Sequence, residues 1–200
     1  MKVFLVRHAQ TQSNREGRFS GRTDEPIAAG QAASAEAAAK FLASRGVVQV
    51  FCSPLRRARD TAEPLIRITG RRLQVVEGFN EIRMSPLWDG RLKAEVEEVT
   101  PDAYKLWRSA PHLVELSGQE TLHEVQARAV EAVEALAEDP SGPTCAVYTH
   151  DAVIRLLLLR ALGLGAERYR SLKIVNCGIS SLEVEGGRWA ISMVNAEAGG

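Results

Sequence analysis

The chain has 200 residues, of which 45% are hydrophobic and 25% are charged. These proportions are typical of a globular protein of about one domain, and they exclude a disordered tail, a collagen-like chain and a disulfide-dense miniprotein. Twenty-five basic side chains balance twenty-five acidic ones, so no overall field attracts nucleic acid or an anionic membrane. We expect one domain over residues 1–200, without nucleic-acid or membrane partners, in which local clusters of cations bind any anion.

The N-terminal apolar run and the cysteines indicate the cellular compartment of the protein. Arg7 ends the run directly after Val6, which is too short for the apolar region of a signal peptide. Cys52, Cys145 and Cys177 are far apart and lie in apolar surroundings. This pattern favours reduced, buried thiols over disulfides or a metal site. The protein is therefore predicted to be cytoplasmic.

Short apolar runs alternate with helical patterns along the chain. In chain order, strands are predicted at Val3–Val6, Val47–Cys52, Leu73–Val76, Cys145–Tyr148, Leu172–Val175, Ile179–Val184 and Trp189–Val194. Helices are predicted from Gln31 to Ser44, from Ser53 onward, from Thr100 to Arg108, from Thr121 to Ala137 and from Asp151 to Leu162. Alternation of this kind predicts an α/β fold: a three-layer sandwich in which helices cover both faces of a mostly parallel, doubly wound sheet.

Local signals mark the ends of several helices. Ser53-Pro54 and Thr100-Pro101 are each typical of an N-cap followed by a first-turn proline, and Thr121–Glu124 has the spacing of a capping box. Asp139–Pro143 is predicted to be a tight connection into the next strand, and Ala196–Gly200 a frayed end.

Residues suited to phosphate chemistry follow the predicted strands. Arg7 and His8 come after the first strand, Ser53–Arg57 after the second, Glu81 after the third and Thr149–Asp151 after the fourth. Because the carboxyl ends of parallel strands meet at one edge of a sheet, these residues are expected to share one crevice.

Their chemistry suggests a joint role. Arginine presents a rigid fork of donors that matches phosphate oxygens, and an imidazole nitrogen can attack phosphorus. Arg57 is predicted to lie one turn inside a helix that begins at Ser53, so that its guanidinium and the helix N-terminus act on the same anion. His150 could donate to a phosphoryl oxygen, and Glu81 could protonate a poor leaving group.

Plainer interpretations stay open at this point. A histidine after a strand is commonly a polar loop residue, and Arg56, Arg57 and Arg59 together are typical of a solvated helix face. His112 and His123 have no partner pattern and are interpreted as ordinary polar residues. The chain contains neither HxxxH nor HExxH spacing, and the nearby arginines would repel a cation, so no metal is expected.

Four linked motifs make the sequence recognisable. The first begins with Leu5-Val6-Arg7-His8-Ala9-Gln10-Thr11 and continues through Asn14, Gly17-Arg18, Gly21 and Asp24; the others are Ser53–Ala62, Glu81 before Trp88-Asp89-Gly90 with Gly118–Leu122, and Thr149-His150 before Val153-Ile154-Arg155. In this order the motifs resemble the histidine phosphatase superfamily, in its phosphoglycerate-mutase-like branch. The resemblance extends over nearly the whole chain.

The resemblance implies a role for each matching residue. His8 would be the nucleophile that becomes phosphohistidine, and Glu81 the proton donor. The other members of the phosphate pocket would be Arg7, Arg57, His150 and Asn14, with Ser20 and Gly21 at positions where relatives contact substrate or phosphate. Positive side chains take the place of a cation in this family, so neither a metal nor another cofactor is implied.

Three departures from the family pattern concern the site. Ala9 and Asp151 each stand where glycine is common, and residues 82–87 lack the usual aromatic-glycine run. We predict that Asp151 is the N-cap of the following helix. The alternative is that Asp151 faces the leaving group and competes with Glu81 as proton donor, as the His-Asp order of the acid-phosphatase branch suggests.

The leading hypothesis is a phosphomonoesterase that acts on a small phosphorylated metabolite through phosphohistidine. The same family also contains mutases, which return the phosphoryl group to substrate and must exclude water while they do so. A non-catalytic module that binds a phosphate ligand is the alternative of another class. Relatives handle ribazole phosphate, phosphoserine, phosphoglycerate and sugar phosphates, and the loops at residues 20–26 and 82–116 are expected to select among such substrates. The sequence leaves the oligomeric state open.

Overall fold

The computed structural model describes residues 1–138 and 142–198 of the chain. Residues 139–141 and 199–200 lie outside the described residues, and with them the middle of the predicted connection at Asp139–Pro143 and the last residues of the predicted frayed end.

Six strands and seven α-helices make up the described part. The strands are β1 (Lys2–Arg7), β2 (Gln49–Cys52), β3 (Leu73–Val75), β4 (Thr144–Thr149), β5 (Ile179–Glu185) and β6 (Arg188–Ala196). The helices are α1 (Gln12–Glu16), α2 (Ala32–Ala43), α3 (Arg56–Thr69), α4 (Lys93–Val99), α5 (Pro101–Ser109), α6 (Leu122–Ala137) and α7 (Asp151–Ala161). Short 3₁₀ helices occupy Glu77–Phe79, Pro111–Leu113 and Ala166–Ser171.

One six-stranded sheet runs through the molecule in the order β3-β2-β4-β1-β5-β6. The pairs β2–β3, β2–β4 and β1–β4 are parallel, whereas β5 is antiparallel to β1 and to β6. In the register of β1 and β4, Arg7 pairs with Thr149. The residues that follow these two central strands are therefore neighbours at one edge of the sheet.

Alternate residues of the central strand face two separate cores. Val3 and Leu5 belong to a core that also contains residues of α6 and α7, while Phe4 and Val6 belong to one that contains residues of α2 and α3. All four side chains are at most 2% exposed. A strand buried on both faces explains the apolar run without alternation. The predicted three-layer α/β sandwich with a mostly parallel sheet is confirmed.

The observed helix ends agree with two of the predicted end signals and contradict the third. Thr121 Oγ1 accepts from the Glu124 amide at 3.2 Å, and Glu124 Oε2 accepts from the Thr121 amide at 2.7 Å, which confirms the capping box. Pro101 is the first residue of α5, as predicted. The predicted helix start at Ser53 is wrong: α3 begins at Arg56, because the Ser53 hydroxyl bonds His150 instead of capping a helix.

The predicted strand at Leu172–Val175 is also wrong, although these residues are apolar and of strand length. Side chains satisfy its backbone in place of a neighbouring strand. The Ile174 carbonyl accepts from Arg7 Nη1, the Leu172 carbonyl accepts from Arg155 Nη1, and the Val175 amide donates to Asn195 Oδ1. The segment is thus an irregular connection that two arginines hold in place.

The sequence patterns did not predict α1 or α4, which have only five and seven residues. Thr11 caps α1 through its own capping box with Asn14. All three cysteines are free and buried, as expected.

Candidate active site

The side chains expected at the strand ends lie together in the structure. Arg7 is the last residue of β1 and His8 follows it, while His150 directly follows β4. The His8 amide donates to the Thr149 carbonyl at 2.9 Å, so the two strand ends are tied together. The ring centroids of His8 and His150 are 5.2 Å apart. Sheet register alone brings these two histidines into one site.

His8 is held in one tautomer by its own backbone neighbour. Its Nδ1 lies 2.7 Å from the Ala9 carbonyl oxygen, which can only accept, so Nδ1 bears the proton. The pKa of His8 is held well below its usual value by burial and by the positive charges of Arg57 and Arg7. A neutral ring protonated at Nδ1 has its lone pair on Nε2. His8 Nε2 is therefore available as a nucleophile.

Arg57, the second residue of α3, fixes the loop that contains Ser20 and Gly21. The guanidinium is 1% exposed, and it donates to the carbonyls of Thr23 at 2.7 Å, Ser20 at 3.1 Å and Gly21 at 2.8 Å. A Cβ at Gly21 would lie 2.8 Å from the backbone oxygen of Ile82. Only glycine allows this close approach, and burial excludes a solvated helix face for Arg57.

His150 is the N-cap of α7 and is fully buried. Its Nε2 lies 2.7 Å from Ser53 Oγ, which also accepts from the Leu55 amide at 3.3 Å. In the tautomer that we assign, the Ser53 hydroxyl donates to His150 Nε2, and the neutral imidazole has its own proton on Nδ1. The pKa of His150 is held well below its usual value by burial and by the charges of Arg57, His8 and Arg7.

Three buried nitrogen atoms around this centre lack a hydrogen-bond partner among the described residues. They are Arg7 Nε, Arg57 Nε and His150 Nδ1. Both arginine atoms are obligatory donors, and His150 Nδ1 is a donor in the assigned tautomer. Buried donors without partners are rare in native proteins, because the desolvation of the N–H group is not offset. The site is therefore short of acceptor oxygens.

Arg7 and Asn14 stand beside the nucleophile. Arg7 Nη1 donates to the Ile174 carbonyl at 2.5 Å, which fixes the guanidinium. Asn14 Oδ1 accepts from the Thr11 amide and from Asn176 Nδ2, both at 3.2 Å. With its oxygen engaged twice, Asn14 can offer its amide protons to a ligand. Asn176 Nδ2 also bonds the His8 carbonyl at 2.9 Å, so Asn14 is linked to the nucleophile.

A partly buried ion pair between Arg128 and Glu120 holds the segment that contains Glu81. Arg128 donates to the carbonyls of Gly78 at 2.8 Å, Asn80 at 2.7 Å and Glu81 at 3.2 Å. Glu120 accepts from Arg128 through both carboxylate oxygens, at 2.7 Å and 3.0 Å. One guanidinium thus satisfies three carbonyls of the 78–81 loop and a bidentate carboxylate. This network fixes the backbone from which the Glu81 side chain projects.

Glu81 is prepared to hold a proton near neutral pH. Burial raises the pKa of Glu81 to about 7, and the charge of Asp151 acts in the same direction, while the Ile82 amide and the charges of Arg57 and Arg7 oppose it. The Ile82 amide donates to Glu81 Oε1 at 2.9 Å. A carboxyl group with this pKa is suited to general acid and base catalysis at neutral pH.

The prediction that Asp151 caps a helix is wrong. His150 is the N-cap of α7, and Asp151 is its first helical residue. The carboxylate points to cations instead: Oδ2 lies 2.9 Å from Arg155 Nε, and Oδ1 lies 3.7 Å from Arg7 Nη1. The carboxylate is thus bound by Arg155, one turn further along the helix, and by Arg7 at the end of β1. It does not cap the backbone amides of the first helical turn.

A cleft of about 350 Å³ opens at this edge of the sheet. Six of the sequence-predicted residues line it: Arg7, Asn14, Ser20, Gly21, Glu81 and Asp151. The side chains of His8, Arg57 and His150 do not line the cleft and are at most 3% exposed. Each of them either adjoins a lining residue in the chain or is hydrogen-bonded to one, so they form a buried group behind the cleft wall.

Comparison with known proteins identifies the family. Residues 3–197 match the model of the histidine phosphatase superfamily, branch 1. The chain belongs to the histidine phosphatase superfamily. A probable 2-carboxy-D-arabinitol-1-phosphatase of Arabidopsis thaliana is 34% identical over 91% of the chain, which spans only 38% of that relative's length.

Two relatives of similar length differ in their named activities. Phosphoserine phosphatase 1 of Hydrogenobacter thermophilus is 28% identical, with 98% of this chain and 92% of the relative covered. A probable phosphoglycerate mutase GpmB of Serratia proteamaculans is also 28% identical, with coverage of 96% and 89%. Among solved structures, Bacillus stearothermophilus YhfR has a TM-score of 0.91 and 26% identity, over 96% of this chain and 95% of that one.

Sequence reasoning about this histidine phosphatase missed two groups of residues. One is the pair Glu120 and Arg128, which holds the Glu81 segment, and the other comprises Arg155, Arg170 and Lys173 in the cleft lining. The spacing of Asp151 and Arg155, four residues apart on a predicted helix, could have revealed their ion pair. Glu120 lies within the Gly118–Leu122 motif, which suggested no contact with Arg128, and Arg128, Arg170 and Lys173 belong to no local motif.

Residues 1–138 and 142–198 contain no group of three or more His, Cys, Asp or Glu side chains placed to hold a metal ion. None of the helices in these ranges is both long enough and apolar enough to cross a membrane.

Proposed function

We propose that this histidine phosphatase is a phosphomonoesterase that hydrolyses a small phosphorylated metabolite through a phosphohistidine on His8. The observation that supports this most directly is the tautomer of His8, whose Nδ1 proton is held by Ala9 while Nε2 stays free. Three unpartnered buried donors nearby match the oxygens of a phosphoryl group.

In the first step, His8 Nε2 attacks phosphorus in line with the ester oxygen. A bond forms between Nε2 and phosphorus, and the bond from phosphorus to the ester oxygen breaks. Glu81, protonated because burial raises its pKa to about 7, gives its proton to the departing oxygen. Arg7, Arg57, Asn14 and His150 donate to the phosphoryl oxygens, where charge is concentrated during transfer.

In the second step, water attacks the phosphorus atom of phosphohistidine. The Glu81 carboxylate accepts a proton from that water, the bond between phosphorus and Nε2 breaks, and phosphate leaves. Glu81 is again the acid and His8 is again neutral. One carboxyl group with a pKa near 7 can serve both steps, because it exchanges its proton readily in each direction at neutral pH.

A mutase is the competing function within the family, and equal identity to a named phosphatase and a named mutase does not separate the two. The cleft favours hydrolysis. It is lined in part by exposed Lys93 and Lys173, so water has a route to the intermediate. A non-catalytic binding module would need the arginines but neither a free imidazole nitrogen nor an acid with a raised pKa.

The proposal extends to the conditions of the reaction. We propose that the whole chain acts as one catalytic domain in the cytoplasm, where its three free thiols stay reduced. The proposed phosphate ligands are all protein side chains, so hydrolysis should survive treatment with a chelator. Loss of activity with EDTA that one divalent metal restores would contradict this.

Rapid-quench kinetics with p-nitrophenyl phosphate test the proposal. We expect a burst of p-nitrophenol of about one equivalent, and a phosphoenzyme that is stable in alkali and labile in acid, as a phosphoramidate is. Phosphate should then be the only phosphoryl product. Transfer from 3-phosphoglycerate to its isomer would instead identify a mutase, and absence of both burst and turnover would favour the binding module.

A further inference from the structure

The charge of the cleft differs from that of the chain as a whole. Although the formal net charge is zero, basic residues outnumber acidic ones in the cleft lining. The basic ones are Arg7, Arg18, Lys93, Arg155, Arg170 and Lys173, and the acidic ones are Glu81 and Asp151. This excess is larger than one phosphoryl group requires, because Arg57 and His150 supply donors from behind the wall.

Carboxylates of the protein neutralise only part of this charge. Arg155 pairs with Asp151 at 2.9 Å, and Arg18 pairs with Glu16 at 2.5 Å. Within the described ranges, none of Lys93, Arg170 and Lys173 has a carboxylate oxygen within 4.0 Å. All three are exposed residues, and we refer to this part of the lining as the outer cleft.

Arg170 is held in position before any ligand binds. Its Nη2 donates to the Trp107 carbonyl. The guanidinium carbon lies 5.6 Å from the ring centroid of Trp107 and 5.9 Å from that of Tyr169. Both rings are at least 92% buried, so the platform beneath the guanidinium is rigid. Stacking on rings leaves the edge donors of a guanidinium free for an anion.

Arg7 and Arg155 position the backbone on either side of Lys173. Its chain neighbours are Leu172, whose carbonyl accepts from Arg155, and Ile174, whose carbonyl accepts from Arg7. The Lys173 backbone is thus fixed relative to Arg7, while its ammonium group extends from an exposed residue. A ligand bound at Arg7 would therefore have a second cation within the same cleft lining.

We propose that the alcohol part of the substrate bears a second anionic group, a carboxylate or a second phosphate, which Arg170 and Lys173 bind. This rests on the proposed function, because the first anion is the phosphoryl group that faces His8. The substrate is then a small phosphate monoester with two anionic groups, which we call doubly anionic; an ester whose phosphate is its one anionic group is called singly anionic. Arg170 supplies directional donors and Lys173 supplies charge, so Arg170 makes the larger contribution.

Matched pairs of phosphate esters test the proposal. They are 3-phosphoglycerate with glycerol 3-phosphate, O-phosphoserine with O-phosphoethanolamine, and fructose 1,6-bisphosphate with fructose 6-phosphate. The first two pairs differ by a carboxylate and the third by a phosphate, so the pattern identifies which anion is bound. We expect kcat/KM to favour the doubly anionic member of at least one pair by about 10-fold or more.

Variants of Arg170 and Lys173 then test whether these side chains cause the preference. Arg170→Gln should lower kcat/KM for the favoured ester by about 10-fold, and Lys173→Gln by about 2- to 5-fold. Turnover of its singly anionic partner and of p-nitrophenyl phosphate should change by less than about twofold. Arg168→Gln is the matched control, since Arg168 is an exposed arginine of the same 3₁₀ helix that does not line the cleft. It should leave every substrate unchanged.

Two results would overturn the proposal: no preference within any pair, or equal losses on both members of a pair in Arg170→Gln. If either result is found and the burst with p-nitrophenyl phosphate is retained, the second anion site is wrong but the proposed phosphatase function still stands. Calorimetric binding of the same pairs to the His8→Ala variant measures the preference without turnover. The anion site is therefore tested even if no ester is hydrolysed.

Discussion

The buried phosphate centre and the outer cleft are built in opposite ways. In the centre, backbone or side-chain partners fix each reacting group: Ala9 holds the His8 ring, loop carbonyls hold Arg57, and Ser53 holds His150. In the outer cleft, Lys93 and Lys173 are exposed and have no carboxylate partner within the described ranges. Phosphoryl transfer needs preorganised donors. In the outer cleft Arg170 is held by the Trp107 carbonyl, whereas the two lysines keep the rotamer freedom of exposed side chains.

Replacing the proposed nucleophile of the buried centre is expected to cause the largest loss of activity. His8→Ala should lower kcat by about 10⁴-fold or more, because the other imidazole of the centre, that of His150, has its Nε2 engaged by Ser53 Oγ at 2.7 Å. Rapid-quench labelling should show no phosphoenzyme. His112→Ala is the control, since His112 lies in the 3₁₀ helix Pro111–Leu113 and does not line the cleft. Undiminished turnover in His8→Ala would contradict the mechanism.

Removing a buried guanidinium should have the next largest effect. Arg57→Ala is expected to lower kcat by about 10²- to 10³-fold, as loss of one preorganised donor does. The neighbouring Arg56, whose side chain is 58% exposed and pairs with Asp60, supplies the control variant Arg56→Ala.

Because Arg57 also bonds three loop carbonyls, its removal will destabilise the fold as well. Urea unfolding of both variants separates the two effects, and Arg57→Lys tests whether charge alone is enough. A loss of stability without a loss of kcat would assign Arg57 to the loop rather than to the phosphoryl group.

The acid can be tested through the leaving group. Glu81→Gln should lower kcat/KM for alkyl phosphates by about 10²- to 10⁴-fold. It should change the burst rate with p-nitrophenyl phosphate much less, since p-nitrophenolate departs without a proton. Because the pKa of Glu81 is about 7, the acid form is lost as the pH rises above 7, so alkyl phosphate hydrolysis should decline there in the wild type and not in the variant. A decline that persists in Glu81→Gln would point to another acid.

Motifs at strand ends explain why so much of the centre was predictable. Arg7, His8 and His150 follow β1 and β4, and parallel pairing leaves these ends few alternative positions. The Thr121 capping box was also predictable, because its two hydrogen bonds join residues three apart. Such features depend on local sequence and on one rule about parallel sheets.

The outer cleft was not predictable for the converse reason. Residues 172–175 have the composition of a strand, but side chains more than 15 positions away bond their backbone and keep the segment irregular. Arg170 and Lys173 belong to no motif and become part of the site through this connection. Asp151 was misjudged because a local cap was weighed without Arg7, which is distant in sequence but 3.7 Å away in space.

The smallest expected effect concerns Asp151, which lies between the two regions. Its charge raises the pKa of Glu81 and stands near the site of a dianion. Asp151→Asn should therefore lower the pKa of Glu81, so that the decline of alkyl phosphate hydrolysis begins at a lower pH. It should also lower KM by a few-fold, because one repulsive charge is removed. Asp102→Asn is a matched control, since Asp102 is an exposed aspartate in the first turn of α5.

These two shifts distinguish a carboxylate that tunes the site from one that donates the proton. If Asp151 were the acid, Asp151→Asn would lower alkyl phosphate hydrolysis by orders of magnitude and spare the p-nitrophenyl phosphate burst, and Glu81→Gln would not. Both oxygens of the Asp151 carboxylate face guanidinium groups, with Oδ2 2.9 Å from Arg155 Nε and Oδ1 3.7 Å from Arg7 Nη1. Burial, in contrast, raises the pKa of Glu81 to about 7, which suits a group that gives and takes a proton near neutral pH. We therefore predict that Glu81 gives the proton and that Asp151 sets the charge around it.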